Sequence, residues 1–296
     1  MEITIGEITA KDIPYYIGFL RAGFGEVLGE LGTDLDLLSR IIRILLIGNG
    51  IPLRLMKRIS GHEAFVLIAR YGNRPIGCLT VVGRGIPSLT GVYILPEFRG
   101  HGLGSALIKE AVKRLQRLGY SEACATPLNG VARHLIEDAG FIRQGFTAMY
   151  ERSLPLNVDE TGGFTVRRRW KSFDEDQTWH GRPYRLRLLG RLLGIRVRRL
   201  TATGTDGGEI NAVLFALPRE RVGEVHPVMF HPGAERGLIP ILNEADEWFS
   251  RLGKEVIKVF NTDDESSITS VLSSLGFEKK RDWERFTIAL QKKRGG

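Results

Sequence analysis

Short apolar runs bounded by turn residues open the first half of the chain, and a stripe at helical spacing follows them. Ala64-Phe65-Val66-Leu67-Ile68-Ala69 has strand length, the turn Gly72-Asn73-Arg74-Pro75 comes next, and Ile76 to Val82 is a second run. Together they predict a β-hairpin. Leu89 to Leu95 is a third strand, closed by Pro96, which cannot donate to a sheet ladder. Beyond it Leu103, Ala106, Leu107, Ala111, Val112 and Leu115 recur near a period of 3.6 and predict a helix. Gly119 ends that helix. Another strand, a short helix from about Gly130 to Asp138, the pair Gly140-Phe141 and a last strand from about Phe146 to Leu154 complete the pattern. Ahead of it, Asp34 caps a stripe of Leu37, Leu38, Ile41, Ile42, Ile44 and Leu45 that stops at Gly48-Asn49-Gly50.

The pattern then returns. Pro232 lies 136 residues after Pro96, Gly276-Phe277 lies 136 after Gly140-Phe141, and Leu290 lies 136 after Leu154. Between them "ADEWFSRLG" (245–253) echoes "AVKRLQRLG" (111–119) at an offset of 134, so the loop before that helix is shorter by two residues. Matches in this order point to an internal duplication. The predicted organisation is a first domain over 1–156, a linker over 157–163 and a second domain over 164–296. Strands mixed with helices in each half make the class α/β.

Composition sets the bounds. The 296 residues are 43% hydrophobic and 26% charged, enough for two domains with proper cores. No apolar run is long enough to span a bilayer, and Met1-Glu2-Ile3-Thr4 opens without the marks of a signal peptide, so the expected location is cytoplasmic. Cys78 and Cys124 could form one disulfide at most, and neither stands in a metal-ligand spacing. No metal is expected. Between Arg167 and Arg199 eleven basic residues face three acidic ones, an excess equal to the net charge of +8 on the whole chain. RNA, an anionic membrane or an acidic protein would suit such a segment. Leucines interleaved with Arg182 to Arg199 favour instead the solvated face of a packed amphipathic element.

The chemistry gathers at "PEFRGHGLGSALIKEAV" (96–112). A strand that stops, a loop of Arg-Gly-x-Gly-x-Gly and a helix N-terminus make an anion site. The first amides of a helix lack partners and carry partial positive charge. Glycines let them approach a phosphate, and Arg99 adds charge-assisted bonds. No Gly-Lys-Ser/Thr follows, which excludes the phosphate loop of nucleotide hydrolases. A dinucleotide fingerprint would follow the first strand of a parallel unit, whereas this loop follows a hairpin and a third strand.

At this point the chain resembles the GCN5-related N-acetyltransferases (GNAT). Their signature is a strand ending in Val-x-Pro, then Gln/Arg-x-x-Gly-x-Gly/Ala and a helix. Here it reads Ile94-Leu95-Pro96, Arg99, Gly102 and Gly104. The family's Asn-x-x-Ala and following Gly-Phe find matches in Asn129, Ala132, Gly140 and Phe141. The resemblance covers roughly 1–154 with its motifs; the second half keeps the scaffold but little of the signature. It implies two tandem GNAT-like domains, each a splayed mixed β-sheet flanked by helices, with the second copy degenerate and acetyl-CoA in the cleft of the first.

Carried over by position, the amides of Gly100, His101, Gly102, Leu103, Gly104 and Ser105, beside Arg99, would hold the pyrophosphate. Backbone groups of Val92, Tyr93 and Ile94 would pair with the pantetheine arm and polarise the thioester carbonyl. Asn129 would reach the cofactor from the other side, or cap its helix, or both. The proton-transfer residues do not carry over. Where many members have a tyrosine seven residues after the Asn, this chain has Ile136, and where one type has a glutamate five residues before it, Cys124 stands. Tyr93, His134 and Tyr150 are the remaining candidates for catalysis.

The resemblance thus implies an acetyl-CoA-dependent N-acetyltransferase in which an amine attacks the thioester directly. Its acceptor would be an amine-bearing small molecule or protein, with helices before the sheet covering the acceptor side. The alternative is a non-catalytic protein that responds to acyl-CoA or binds nucleic acid.

Overall fold

Why the first hairpin forms is visible in its burial. Phe65, Leu67 and Ala69 of strand β2 (Glu63–Tyr71) face one side, while Val66 and Ile68 face the other, and all five are buried. A strand covered on both faces reads as a continuous apolar run rather than an alternation. Strand β3 (Arg74–Gly83) returns antiparallel after the two-residue turn Gly72-Asn73, where Gly72 has φ of 58°. The computed structural model describes residues 2–30, 35–36, 38–44, 46, 63–83, 86–156, 163–167, 196–216, 221–230, 235–261 and 266–290. Asp34, Gly48-Asn49-Gly50, Pro232, the 157–162 part of the linker and 168–195 of the basic segment lie outside them.

Two compact units divide the chain, and neither is continuous in sequence. In the first, β1 (Ile3–Glu7), β2, β3 and β4 (Ser88–Ile94) are antiparallel neighbours, and β5 (Glu122–Ala125) joins β4 in parallel. The far edge of β5 is paired antiparallel by Phe286–Ala289, from the end of β12 (Glu278–Ala289). Helix α3 (Leu103–Arg117) lays Leu103, Leu107, Ile108, Ala111 and Leu115 on one face of this sheet, against Phe65, Leu67, Leu79 and Val81. Each fully buried leucine, isoleucine or valine among them contributes about 1.5–3 kcal/mol. Helix α1 (Ile13–Glu30) covers the other face with Ile13, Tyr16, Ile17, Phe19 and Leu20, and Leu38 and Ile42 of the helical stretch α2 (38–44) pack on the same cluster. Helix α4 (Gly130–Asp138) follows β5.

The second unit repeats the plan. Strands β7 (Phe164–Arg167), β8 (Arg196–Gly204), β9 (Glu209–Ala216) and β10 (Val222–Phe230) are antiparallel neighbours, with β11 (Val256–Asn261) parallel to β10. Helix α5 (Leu238–Ser250) buries Leu238, Ile241, Leu242, Ala245 and Phe249 against the sheet, and helix α6 (Ser266–Ser274) follows β11. The far edge of β11 is paired by residues 148–153 of β6 (Ile142–Ser153). Sequence order puts that strand at the end of the first repeat, yet its 145–153 portion belongs to the second unit, just as 284–289 of β12 belongs to the first. Strands β6 and β12 match at the offset of 136 along their whole length, as do α4 and α6. Equivalent strands can fill equivalent edges, so the exchange satisfies both sheets.

Candidate functional site

β4 and β5 stay together for only two pairs, Ser88 opposite Cys124 and Leu89 opposite Ala125. Beyond them β4 runs on to Ile94 with its β5-side edge unpaired. Its other edge remains on β3 through an irregularity between Cys78 and Thr80, where β4 carries one extra residue at Gly91-Val92. Gly91 has φ of 63°, a left-handed conformation that favours glycine in such a bulge. The result is a V-shaped gap along which the β5-side edge of β4 has no strand partner.

The loop after β4 lies at the mouth of this gap. Pro96–Phe98 make a 3-10 turn, and Arg99 follows in extended conformation. Gly100 and Gly102 have φ of 79° and 73°, and a Cβ on either would meet nothing within 4 Å. They serve the turn and leave its amides bare. Gly104 has another duty: a Cβ there would come 3.0 Å from Leu135 Cδ1, so it lets α3 pack closely on α4. Intrahelical bonding begins with Ala106 N–H to the Gly102 carbonyl (3.0 Å), which leaves the amides of Leu103, Gly104 and Ser105 without helical acceptors. Bare amides at a helix N-terminus fit a diphosphate such as that of CoA.

Side chains around the loop are arranged as follows. Arg99 Nε donates to the Ile94 carbonyl (3.0 Å), and its guanidinium lies 5.7 Å from the centre of the Tyr93 ring. His101 Nδ1 donates to the Arg99 carbonyl (2.8 Å). Val92 and Ile94 pack on the α3 side, while Tyr93 turns to the α1 side. There Phe19 stacks on it at 5.4 Å and 26°. Asn129 caps α4 by accepting from Ala132 N–H (2.8 Å).

The three proton-transfer candidates are not brought together. His134 is exposed on α4 and sits 3.4 Å from Asp138, one turn on. Tyr150 is buried in the second unit's core and shares a 2.9 Å hydrogen bond with Thr269. Tyr93 stands beside the gap, and among the described residues no group bonds its hydroxyl. Both cysteines are buried and free. Burial pushes the Cys78 thiol up to about 12 and raises that of Cys124 as well. Neither is a thiolate at neutral pH.

Sequence reasoning missed the wall that α1 builds. Gly23 packs so closely on Tyr93 that a Cβ would lie 2.5 Å from its ring, and Tyr16 shares a 2.9 Å hydrogen bond with Thr80 beside the bulge. Glycines at 18, 23, 25 and 29 in a largely apolar stretch were the available signal.

Of the basic segment, Arg198 is committed inside the second unit. It lies 3.7 Å from Glu244 and 4.7 Å from the centre of the Trp248 ring. Among the described residues no three His, Cys, Asp or Glu side chains cluster as metal ligands, and no helix is long and apolar enough to cross a membrane.

Comparison with known proteins bears on the same residues. The model of the acetyltransferase (GNAT) family matches residues 49–141, from before β2 to the end of α4. No curated protein matches the chain in sequence. Among solved structures, a tandem GNAT protein from the clavulanic acid biosynthesis pathway, without AcCoA, is 14% identical, with 98% of this chain and 99% of that chain covered at a TM-score of 0.62. A GCN5-related N-acetyltransferase from Sphaerobacter thermophilus is also 14% identical, with 98% and 96% covered at a TM-score of 0.62. At such identities the likeness speaks for the fold. The stretch that the GNAT acetyltransferase family model matches, residues 49–141, holds both the strand gap and the glycine loop, and the chain has the fold of tandem GNAT proteins.

Proposed function

We propose that the first unit is an N-acetyltransferase that moves the acetyl group of acetyl-CoA to an amine, and that the second unit holds no acyl-CoA. The parting of β4 from β5 after two pairs, beside the bare amides of Gly100 to Ser105, is the observation that carries this reading. When bound, acetyl-CoA supplies an activated acetyl thioester. The loop amides and Arg99 would hold its diphosphate. The backbone of Val92, Tyr93 and Ile94 would pair with its arm and donate to the acyl oxygen, and preorganised donors of this kind are usually the largest catalytic term. Asn129 fixes the start of α4 on the other side of the gap. Tyr93, whose ring stacks on Phe19 and lies near the Arg99 guanidinium, would be the candidate to hand over a proton. Buried thiols give no nucleophile at Cys78 or Cys124, which supports direct attack by the amine.

Thermal melting of the whole chain with and without acetyl-CoA tests the first step. Ligand at about 100 times its dissociation constant should stabilise the wild type by roughly 2.7 kcal/mol. Release of free CoA with a panel of amines and peptides tests the second. Binding without turnover on every acceptor would make the protein an acyl-CoA-responsive one instead.

A further inference from the structure

Strand β12 brings to the first unit one charged side chain that no group among the described residues engages. Phe286, Ile288 and Leu290 turn toward α3, and Glu284 on that side pairs with Arg133 of α4 and, at 3.4 Å, with Arg143. Alternation along the strand therefore turns Arg285 and Thr287 to the opposite face, the one that α1 covers. Thr287 stands opposite Cys124, and Cys124 opposite Ser88, so these three make one row across β12, β5 and β4. Leu89 and Ala125 are the last pair before the gap, and Phe286 stands opposite Ala125. Arg285 is thus one position farther along β12, on the side where the gap opens.

Arg285 is half-buried, its Nε is buried with no hydrogen-bond partner, and among the described residues no carboxylate or carbonyl engages it. Its charge reaches Cys124: burial raises that thiol's pKa, while a hydrogen bond to Ser88 and then Arg285 lower it. Glu122, toward the other end of β5, acts on the same thiol in the opposite sense. A partly desolvated cation without a counter-ion is costly to keep. Elsewhere in this region the arginines have found partners.

We infer that Arg285 selects the acceptor by binding a carboxylate on it, so that the acceptor is an amino acid or a similar small molecule carrying both an amine and a carboxylate. The inference rests on the gap being the acyl-transfer site. One guanidinium with the Thr287 hydroxyl beside it suits a singly charged carboxylate. A phosphate would call for more positive charge, and Arg285 is the only cation in 88–94, 122–125 and 284–289.

The full chain is assayed for acetyl-CoA consumption with the common L-amino acids and with the amines left by their decarboxylation. Carboxylated acceptors should be favoured by about tenfold or more in kcat/KM. Arg285→Gln should erase that preference by raising KM for carboxylated acceptors, with kcat and the KM for acetyl-CoA unchanged, and Arg285→Lys should restore part of it. Melting in the presence of CoA gives a readout free of turnover: amino acids should raise the Tm of the wild type and not of Arg285→Gln. Without ligand, Arg285→Leu should melt no lower than the wild type, since no bond is lost. Equal use of both amine classes, a preference that survives Arg285→Gln, or no response to amino acids in either assay overturns the inference. If acetyl-CoA itself fails to raise the Tm, the reading of the gap falls; if it does raise it and the carboxylate makes no difference, only the role of Arg285 falls.

Discussion

At the start of α3, Gly100 and Gly102 are exposed, with left-handed φ and open space where a side chain would be. At the start of α5, Gly237 is buried with φ of −63°, and a Cβ on it would lie 2.7 Å from Ile210 Cγ2 and 2.9 Å from Phe164 Cδ1. The next three residues, Leu238, Ile239 and Pro240, are buried too. The strands differ in the same sense, for β10 and β11 keep four parallel pairs where β4 and β5 keep two. One repeat holds its helix N-terminus open to a polar ligand; the other fills it with apolar side chains. The architecture is kept in both repeats while one helix entry is open and the other is filled, and that difference resides in a few residues at one turn. The negative charge of Glu235 in that turn and the missing amide of Pro240 would both disfavour a polyanion there.

The sharpest way to break this contrast is calorimetric titration with acetyl-CoA. One site per chain is expected, and Gly102→Asp should remove nearly all of the roughly 2.7 kcal/mol of ligand stabilisation. Two sites, or a site that survives Gly102→Asp, would mean that the second helix entry is open after all. Overpacking the closed turn comes next. Gly237→Val should destabilise the protein by about 1–3 kcal/mol in urea melts, because Ile210 and Phe164 must move. Gly100→Ala should cost about 1 kcal/mol from its φ alone. A reversed order of the two would remove the packing argument. Asn129→Ala should cost about 1 kcal/mol through the lost cap. If acetyl-CoA affinity is unchanged in that variant, Asn129 shapes the gap without touching the ligand.

Acid supplies the smallest effect, and it falls on the first unit. Burial opposes the charge on Asp12, but the Thr9 hydroxyl and amide and the Arg70 guanidinium outweigh it and hold the carboxyl below its ordinary 3.8. A depressed carboxylate stabilises fully above the unfolded value and loses that contribution as pH falls through the folded one. Urea melts should therefore show a loss below about pH 4 that Asp12→Asn lacks. Equal acid sensitivity in the variant would assign the loss to other groups.

The elements from β2 to α4 were legible because their apolar runs are bounded by Gly and Pro, and α3 because its buried residues recur every third or fourth position. Helix α1 was not, since Ile13, Tyr16, Ile17, Phe19 and Leu20 stand beside exposed Tyr15 in a stretch with no clean apolar stripe and with glycines at 18, 23, 25 and 29. The glycine loop was readable as an anion site, yet its three glycines divide their work in a way that spacing does not reveal: two make the turn and one lets helices meet. Strand pairing lay beyond the sequence. β6 and β12 occupy equivalent positions in the two repeats, and nothing in either strand alone tells which sheet edge it will join.

That exchange has a consequence for how the protein is made. Ala125 waits for Phe286, and Glu122 for Ala289, so a chain emerging from the ribosome completes the sheet that carries the glycine loop only when β12 appears. Pairing across such a distance makes closure a late and slow event in folding. Phe286, almost fully buried, and Leu290, whose N–H bonds the Ser121 carbonyl at 2.7 Å, then act as a stamp of completion on the gap-bearing unit. A chain released before β12 keeps the glycine loop and still has an open edge on β5.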